Sequence, residues 1–290
     1  MTVLLAAFLD GLLREPPARL HPVVGIGRLL AGLERFWRDD ARAGAAAWAA
    51  GAVVVTGIAA LLGRWTLTLE TPWRLAATAL LLWPAFSLRM LLEEVAVVEA
   101  ALARDLDEAR TRLARLVSRD TGNLDEAGVR MAALETLAEN FSDSLVAPMF
   151  YFVLSGLPGA WLYRYANTAD ATWGYRSRRY RHWGRFAARA DDLLNLLPAR
   201  LAAGLLGGGR DLAALRREAA RTPSPNAGWP MAALALAMGV RLEKRGAYVL
   251  NPSGRDPEPA DLRRALARAR RTAVVVYALA ALLGWGVWGL

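Results

Sequence analysis

Three acidic residues with helical spacing lie directly before an apolar segment. In LETLAENFSDSLVAPMFY (134–151), Glu135, Glu139 and Asp143 stand at i, i+4 and i+8. In an α-helix they lie roughly 40° apart in projection, on one face. Like charges at this spacing repel, so a cation, arginine partners or water must compensate. Two interpretations stay open: the solvated end of a helix, or the mouth of a metal-binding active site.

A second group of oxygen-bearing residues lies in segment 163–201. It combines an N-x-x-D pair, Asn167 and Asp170, with the D-D-x-x-N motif formed by Asp191, Asp192 and Asn195. On helices, oxygens at i and i+3 or i+4 face the same way, and hard oxygen ligands suit Mg²⁺ bridged to phosphate. The sequence therefore predicts a magnesium–phosphate site here.

Arginines and aromatic residues are interleaved between these two motifs. They include Tyr175, Arg176, Arg179, Tyr180 and, nearer the second motif, Arg189. Guanidinium groups and stacking rings beside carboxylates are what a Mg-nucleotide site requires. A basic anchor at a membrane edge would also explain the arginines and rings, but it would not explain the acidic and amide residues.

Two further polar segments contain candidate residues. LHPVVGIGRL holds His21, one of two histidines, and TPSPNAGWP (222–230) is a rigid polar turn that holds Asn226. A lone histidine is more often structural than catalytic, and a proline-rich turn can simply cap a helix. Neither segment predicts a site by itself.

The composition predicts the elements that position these residues. The chain is 55% hydrophobic with a mean hydropathy of +0.21, more apolar than most soluble domains. It is predicted to be an all-α, polytopic integral membrane protein of one domain (1–290), with a helical cytoplasmic insertion at 93–144. Asn123 and Glu126 read as a capping box that opens a helix in this insertion.

About five spans are expected among candidates near 45–63, 75–92, 145–163, 193–209, 222–240 and 272–290. The segment 1–13 lacks the basic start of a signal peptide and is expected to be a helix at the membrane edge.

Segment 145–163 is expected to be broken or re-entrant. It contains Pro148, Gly156, Pro158 and Gly159. A single crossing would place an arginine-rich loop outside the membrane, which the positive-inside rule disfavours. A broken helix that returns to the same side would bring the two charged regions to one mouth.

Composition also excludes several kinds of chemistry. The chain has no cysteine, which excludes disulfides, thiolate ligands and thiol nucleophiles. Its only lysine, Lys244, is not part of a P-loop pattern, so any phosphate must be held by arginine, metal or backbone amides. The net charge of +9 comes largely from arginines near membrane segments, and nucleic-acid binding is not expected.

Six ordered segments over nearly the whole chain resemble one family. The segments HPV, VSRDT, ETLAENFSDS, NTADATWGYRSRRY, ARADDLLNLLPARL and SPNAGWPMA closely resemble the integral-membrane adenosylcobinamide-phosphate synthases of vitamin B12 biosynthesis. The resemblance implies a multi-pass enzyme of the inner (cytoplasmic) membrane whose active site faces the cytoplasm. It implies an ATP-dependent ligase that joins adenosylcobyric acid to aminopropanol or aminopropanol phosphate. An association with other membrane enzymes of the pathway fits the same resemblance.

This sequence departs from the family pattern at two places. Arg14 and Glu15 stand where Gly-Asp is expected before the first proline, and Ser144 stands where glycine is expected. The first change puts the role of the N-terminal acid in doubt, and the second could tighten a turn.

With Mg²⁺ and ATP implied, the candidate residues acquire expected roles. The acids are expected to include the metal ligands and one general base: Glu135, Glu139, Asp143, Asp170, Asp191 and Asp192, of which all but Glu135 form the expected metal set. The expected phosphate contacts are Arg176, Arg179 and Arg189. The remaining substrate or ATP contacts are expected from Asn140, Asn167, Asn195, Asn226, Tyr175, Tyr180 and His21. Glu139 or Asp143 is expected to approach Asp170 or Asp191 within ~8 Å, close enough to share one hydrated Mg²⁺.

Two other functions compete with this interpretation. A Mg-dependent membrane prenyltransferase would use aspartate-rich helices, but D-D-x-x-N matches its motif only in part and has no clear second copy. An ion-coupled transporter would place acids at the centres of its spans, whereas here most acids lie at segment edges.

Overall fold

The computed structural model describes residues 1–38, 40–174, 177–207 and 211–288, with side chains described through residue 284. The helices are α1 (Thr2–Leu13), α2 (Pro22–Leu33), α3 (Ala41–Thr66), α4 (Thr71–Leu82), α5 (Leu88–Leu102), α6 (Leu106–Leu113), α7 (Glu126–Phe141), α8 (Ala147–Trp173), α9 (Arg185–Leu194), α10 (Leu196–Gly207), α11 (Leu212–Ala219), α12 (Gly228–Met238) and α13 (Pro259–Trp288). Short 3₁₀ turns occupy Glu34–Phe36 and Trp83–Ala85, and Ser142–Val146 forms a π-helical turn. This architecture confirms the predicted all-α class.

The chain folds into two compact units. The first unit contains Met1–Ser87, Ala147–Asn195 and the chain from Val276, and the second contains Leu88–Val146 and Leu196–Val275. In the first unit α3 packs along α8, where Gly51 lies against the Tyr165 hydroxyl so closely that a Cβ would be 2.3 Å from it. In the second unit α10 and α11 pack on α12 around a small alanine-rich core.

Three helical stretches are long and apolar enough to cross a membrane. They are Ala41–Thr66, Thr71–Leu102 and Glu126–Trp173. In α3, Val53 is 72% exposed and Leu61 is 69% exposed, an apolar surface that lipid can cover. The protein is therefore a helical membrane protein, and these stretches contain the predicted spans near 45–63, 75–92 and 145–163.

Two of the other candidate spans form short helices instead. The segment 193–209 contributes α10, which has 12 residues, and 222–240 contributes α12, which has 11. A span needs about 20 residues, so neither helix crosses a bilayer alone. Gly239 ends α12 because its positive φ of 65° closes the helix with a left-handed cap. The segment near 272–290 belongs to α13, which begins earlier, at Pro259.

The segment expected to be broken does contain a break. Inside α8, Ser155 (φ −144°, ψ 16°) and Gly156 (φ 64°, ψ −151°) leave helical geometry. Pro158 follows two residues later and cannot donate a helical hydrogen bond, while Gly156 tolerates a positive φ. The break is confirmed, and the re-entrant path through the membrane stays a prediction.

The predicted start of α7 in the second unit is wrong. Helix α7 begins after Asp125, whose carboxylate accepts from the Gly128 amide at 2.7 Å, so Asn123 is not the cap. The chain after α12 forms an antiparallel strand pair, β1 (Leu242–Lys244) and β2 (Tyr248–Leu250), with Leu242 opposite Leu250.

Candidate active site

The acidic and amide residues of the first unit form a hydrogen-bonded cluster, called here the Asp191 centre. The Asn195 amide donates to Asp191 Oδ2 at 3.0 Å, and the Asn167 amide lies 3.4 Å from Asp191 Oδ1. The Tyr163 hydroxyl donates to Asn195 Oδ1 at 3.0 Å. Both carboxylate oxygens of Asp191 are therefore oriented by amide groups from two helices.

The local sequence explains part of this cluster. Asp191 and Asn195 are one helical turn apart, and Asn195 is the C-cap of α9. The motif therefore closes α9 and lies directly before the apolar helix α10. Asn195 is only 2% exposed, and Tyr163 is fully buried in α8. Tyr151 stacks on Tyr163 with ring centroids 5.6 Å apart, so the donor to Asn195 is held in place.

Neighbouring acids make the Asp191 centre electrostatically unusual. Burial and, to a smaller extent, the nearby Asp170 carboxylate together raise the pKa of Asp191 to about 7. Hydrogen bonds from Asn195 and Asn167 oppose that rise. Burial also raises the pKa of Asp192. A carboxyl group of this kind can take up or release a proton near neutral pH.

The raised pKa of Asp191 predicts a pH dependence of stability. An unfolded aspartate has a pKa of about 4, so the folded protein binds the extra proton more tightly between that value and about 7. We expect the free energy of unfolding to decrease as pH rises through this window in metal-free detergent solution. Thermal unfolding with a chelator present measures it. In Asp191→Asn, the free energy of unfolding should depend much less on pH in this window. The control Glu70→Gln changes an exposed carboxylate and should keep the pH dependence of the unchanged protein. Equal pH profiles for the two variants would contradict the assignment of this effect to Asp191.

Gly174 packs directly against Asp170. A Cβ at this position would lie 1.9 Å from Asp170 Oδ1 and 2.6 Å from the Asp170 carbonyl oxygen. Asp170 can therefore hold its present place only if residue 174 has no side chain.

Gly174→Ala should therefore displace the Asp170 carboxylate. If Asp170 takes part in the reaction, as its sequence motif predicts, we expect catalytic turnover to fall by about tenfold or more, because small displacements of a reacting group are costly. Gly57→Ala is the matched control, since nothing lies within 4 Å of a Cβ there. Steady-state kinetics compare the two, and equal turnover would show that the position of Asp170 is unimportant.

The arginines that were predicted to bind phosphate differ in their contacts and exposure. Arg179 ion-pairs with Glu34 at 3.4 Å and lies 5.5 Å from the centre of the Trp37 ring. The Tyr180 hydroxyl donates to the same Glu34 carboxylate at 2.5 Å, which raises the pKa of Tyr180. Arg189 is exposed on α9. Tyr175 and Arg176 lie outside the described residues.

His21 has a structural task in the first unit. Its Nδ1 accepts from the Val23 amide at 3.2 Å and so caps α2, while its Nε2 lies 3.2 Å from the Glu15 carboxylate. The hydrogen bond with His21 lowers the pKa of Glu15. Substrate binding by His21 stays a prediction.

A separate buried ion pair lies in the second unit. Glu135 of α7 is 1% exposed and pairs with Arg119 from the loop before α7. Tyr248 of β2 lies beside this pair, and burial together with the Glu135 charge raises the pKa of Tyr248. The solvated-face interpretation therefore fails for Glu135. Sequence reasoning missed Arg119 and Tyr248 as partners, and the available signal was that a carboxylate on a buried helix face requires a cation.

The other second-unit candidates have mixed surroundings. Glu139, Asn140 and Asp143 are partly buried, and Asp143 lies in the π-helical turn, so the three acids do not share one regular α-helix. Asn226 accepts from Arg200 at 2.5 Å, and Arg200 also lies 4.6 Å from the centre of the Trp229 ring. The expected functional roles of Glu139, Asn140, Asp143 and Asn226 stay predictions.

The Asp191 centre offers the one or two carboxylates that a magnesium ion needs when substrate phosphates and water supply its other ligands. Within the described ranges, no group of three or more histidine, aspartate or glutamate side chains is arranged to hold a metal ion. Mg²⁺ commonly uses only one or two carboxylates and completes its shell with phosphates and water. The mutually interacting carboxylates of Asp170, Asp191 and Asp192 can meet this demand.

Comparison with known proteins identifies similar chains. Residues 3–274 match the family model described as CobD/Cbib protein. A probable cobalamin biosynthesis protein CobD of Methanothermobacter thermautotrophicus is 43% identical over 257 residues, covering 86% of this chain and 85% of that protein. The cobalamin biosynthesis protein CobD of Chromobacterium violaceum is 46% identical over 251 residues, covering 82% and 79%. No solved structure matches the chain.

Proposed function

Because the chain belongs to the CobD/Cbib family, we propose that it is a membrane enzyme of cobalamin biosynthesis that forms an amide by ATP-dependent ligation. The acid would be adenosylcobyric acid, and the amine would be aminopropanol or aminopropanol phosphate. The product would be adenosylcobinamide or its phosphate. The observation that carries this proposal is the Asp191 centre, which combines carboxylates for Mg-nucleotide binding with a carboxyl group that titrates near neutrality.

The proposed reaction has two steps. The substrate carboxylate attacks the γ-phosphorus of ATP, giving an acyl phosphate and ADP. The amine then attacks the acyl carbon, a C–N bond forms, inorganic phosphate leaves and the nitrogen loses a proton. Each step needs reactants held in line and charge compensation at phosphate, which positioning and electrostatics can provide.

The residues of the first unit divide these tasks in the proposal. Asp191 accepts the proton of the amine, because its pKa near 7 and its two amide contacts suit a general base. Asp170 and Asp192 would hold Mg²⁺, which supplies charge neutralisation at the phosphates. Arg189, exposed on the helix that carries Asp191, is proposed to contact a phosphate group.

The test is reconstitution of the purified protein in lipid nanodiscs. Adenosylcobyric acid, ATP and Mg²⁺ are supplied with aminopropanol in one reaction and with aminopropanol phosphate in another, and the amide is detected by mass spectrometry. We expect ADP formation only when corrinoid and amine are both present, and the better amine identifies the natural substrate. ATP turnover that is absent, or indifferent to corrinoid and amine, would reject the ligase.

We also propose that the Asp191 centre faces the cytoplasm in the inner membrane, since ATP is cytosolic. The chain has no cysteine, so Arg189→Cys creates a single label site on an exposed position of α9. A membrane-impermeant maleimide should label it in inverted vesicles and not in intact spheroplasts. The reverse pattern would contradict the proposed orientation.

A further inference from the structure

A cavity of about 520 Å³ lies in the second unit, between the end of α12 and the first half of α13. Its lining includes Met238 and, on α13, Asp261, Arg264, Arg268, Arg271 and Thr272. This is the α13 basic cavity. Three of these side chains carry guanidinium groups, and the only acid among them is Asp261.

The acid in the cavity is already shared between two arginines. Asp261 accepts from both terminal nitrogens of Arg255, at 2.6 and 2.9 Å, and from Arg264 at 2.8 Å. Its carboxylate is almost fully buried, and these contacts lower its pKa against the opposing effect of burial. Asp261 therefore cannot also neutralise Arg268 and Arg271, and the cavity keeps an excess of positive charge.

The three arginines share one face of α13. Arg264, Arg268 and Arg271 are spaced at i, i+4 and i+7, so they project in similar directions, and like charges at this spacing repel. Arg268 donates to the Leu206 carbonyl in the last turn of α10, which orients its guanidinium. Arg271 is exposed and has no acidic ion-pair partner within the described part of the chain.

We propose that the α13 basic cavity binds a phosphate group. Guanidinium groups match phosphate oxygens with paired, charge-assisted hydrogen bonds, and a bound anion would relieve the repulsion along the helix face. The cavity lies just before the apolar part of α13 that begins at Thr272, and clustered arginines next to an apolar helical segment are a typical binding site for anionic lipid headgroups. Two sources share this chemistry: an anionic lipid headgroup and a soluble phosphate ester. The proposal goes beyond the ligase function and does not depend on it, because it concerns binding alone.

The test uses the full-length protein in neutral detergent. Isothermal titration calorimetry measures binding of inorganic pyrophosphate and, separately, of short-chain phosphatidylglycerol. We expect at least one probe to bind, and the double variant Arg264→Gln/Arg271→Gln to weaken that binding by about tenfold or more. The control Arg263→Gln/Arg270→Gln removes the same charge from the same helix but no residue that lines the cavity, so it should change affinity by less than about twofold.

The outcomes separate the alternatives. Binding of phosphatidylglycerol alone assigns the site to lipid, and binding of pyrophosphate alone assigns it to a soluble phosphate. Binding of neither probe, or equal weakening by the two double variants, overturns the proposal. If Arg264→Gln/Arg271→Gln unfolds, the comparison is repeated with two single variants at exposed positions: Arg271→Gln and its control Arg270→Gln.

Discussion

Asp191→Ala is expected to lower the turnover of amide formation by about 100-fold or more. Removing a general base costs 10²–10⁴-fold in rate in typical enzymes, and this carboxylate is the one that both Asn167 and Asn195 orient. Asp191→Asn should lose a similar factor, because it keeps the size of the side chain but cannot accept a proton. Product formation at saturating ATP and Mg²⁺ measures both.

A Mg²⁺ titration separates the base from the ligands. If Asp191 is the base, its alanine variant stays slow at saturating Mg²⁺, whereas Asp192→Ala should mainly raise the Mg²⁺ concentration required. Glu70→Ala removes an exposed carboxylate from the same unit and should leave turnover unchanged. An Asp191→Ala variant with the turnover of the Glu70 control would return the centre to a structural role. Recovery of that variant by extra Mg²⁺ would instead make Asp191 a ligand.

Arg119→Met is expected to destabilise the protein by about 3–5 kcal/mol. The substitution leaves the Glu135 carboxylate buried without its cation, and an uncompensated buried charge is among the costliest defects in a protein interior. The free energy of unfolding in mixed micelles measures the effect. Arg104→Ala is the control: it breaks the exposed pair with Glu108, where Arg104 is 66% exposed, and should cost no more than about 1 kcal/mol.

The double variant Arg119→Met/Glu135→Leu tests the same pair from the other side. Replacing both charges by apolar groups should recover much of the lost stability, because neither partner is then left unpaired. If Glu135 also takes part in catalysis, as its sequence motif predicts, the double variant should be folded and inactive. A single Arg119→Met variant as stable as the Arg104 control would contradict the buried-pair explanation.

Local spacing was sufficient to predict several features of the site. The turn of α9 that joins Asp191 to Asn195 follows from helical geometry, since residues four apart lie on one face. The break in α8 follows from Gly156 and Pro158, whose backbone preferences act locally. The helical class and the long apolar stretches follow from composition, because a chain with so much apolar surface must bury it in lipid or in other helices.

Only the tertiary structure decided which distant residues meet. Tyr163 and Asn167 reach the α9 motif because α8 packs along α9, and no periodicity in the sequence encodes that contact. Arg119 and Tyr248 come to Glu135 from a loop and a strand far apart in the chain. The spacing of Glu135, Glu139 and Asp143 left both burial and solvation open, and the choice for Glu135 depended on which helix face the rest of the second unit covers. A sequence pattern determines directions along one element, whereas burial and pairing depend on the elements that pack against it.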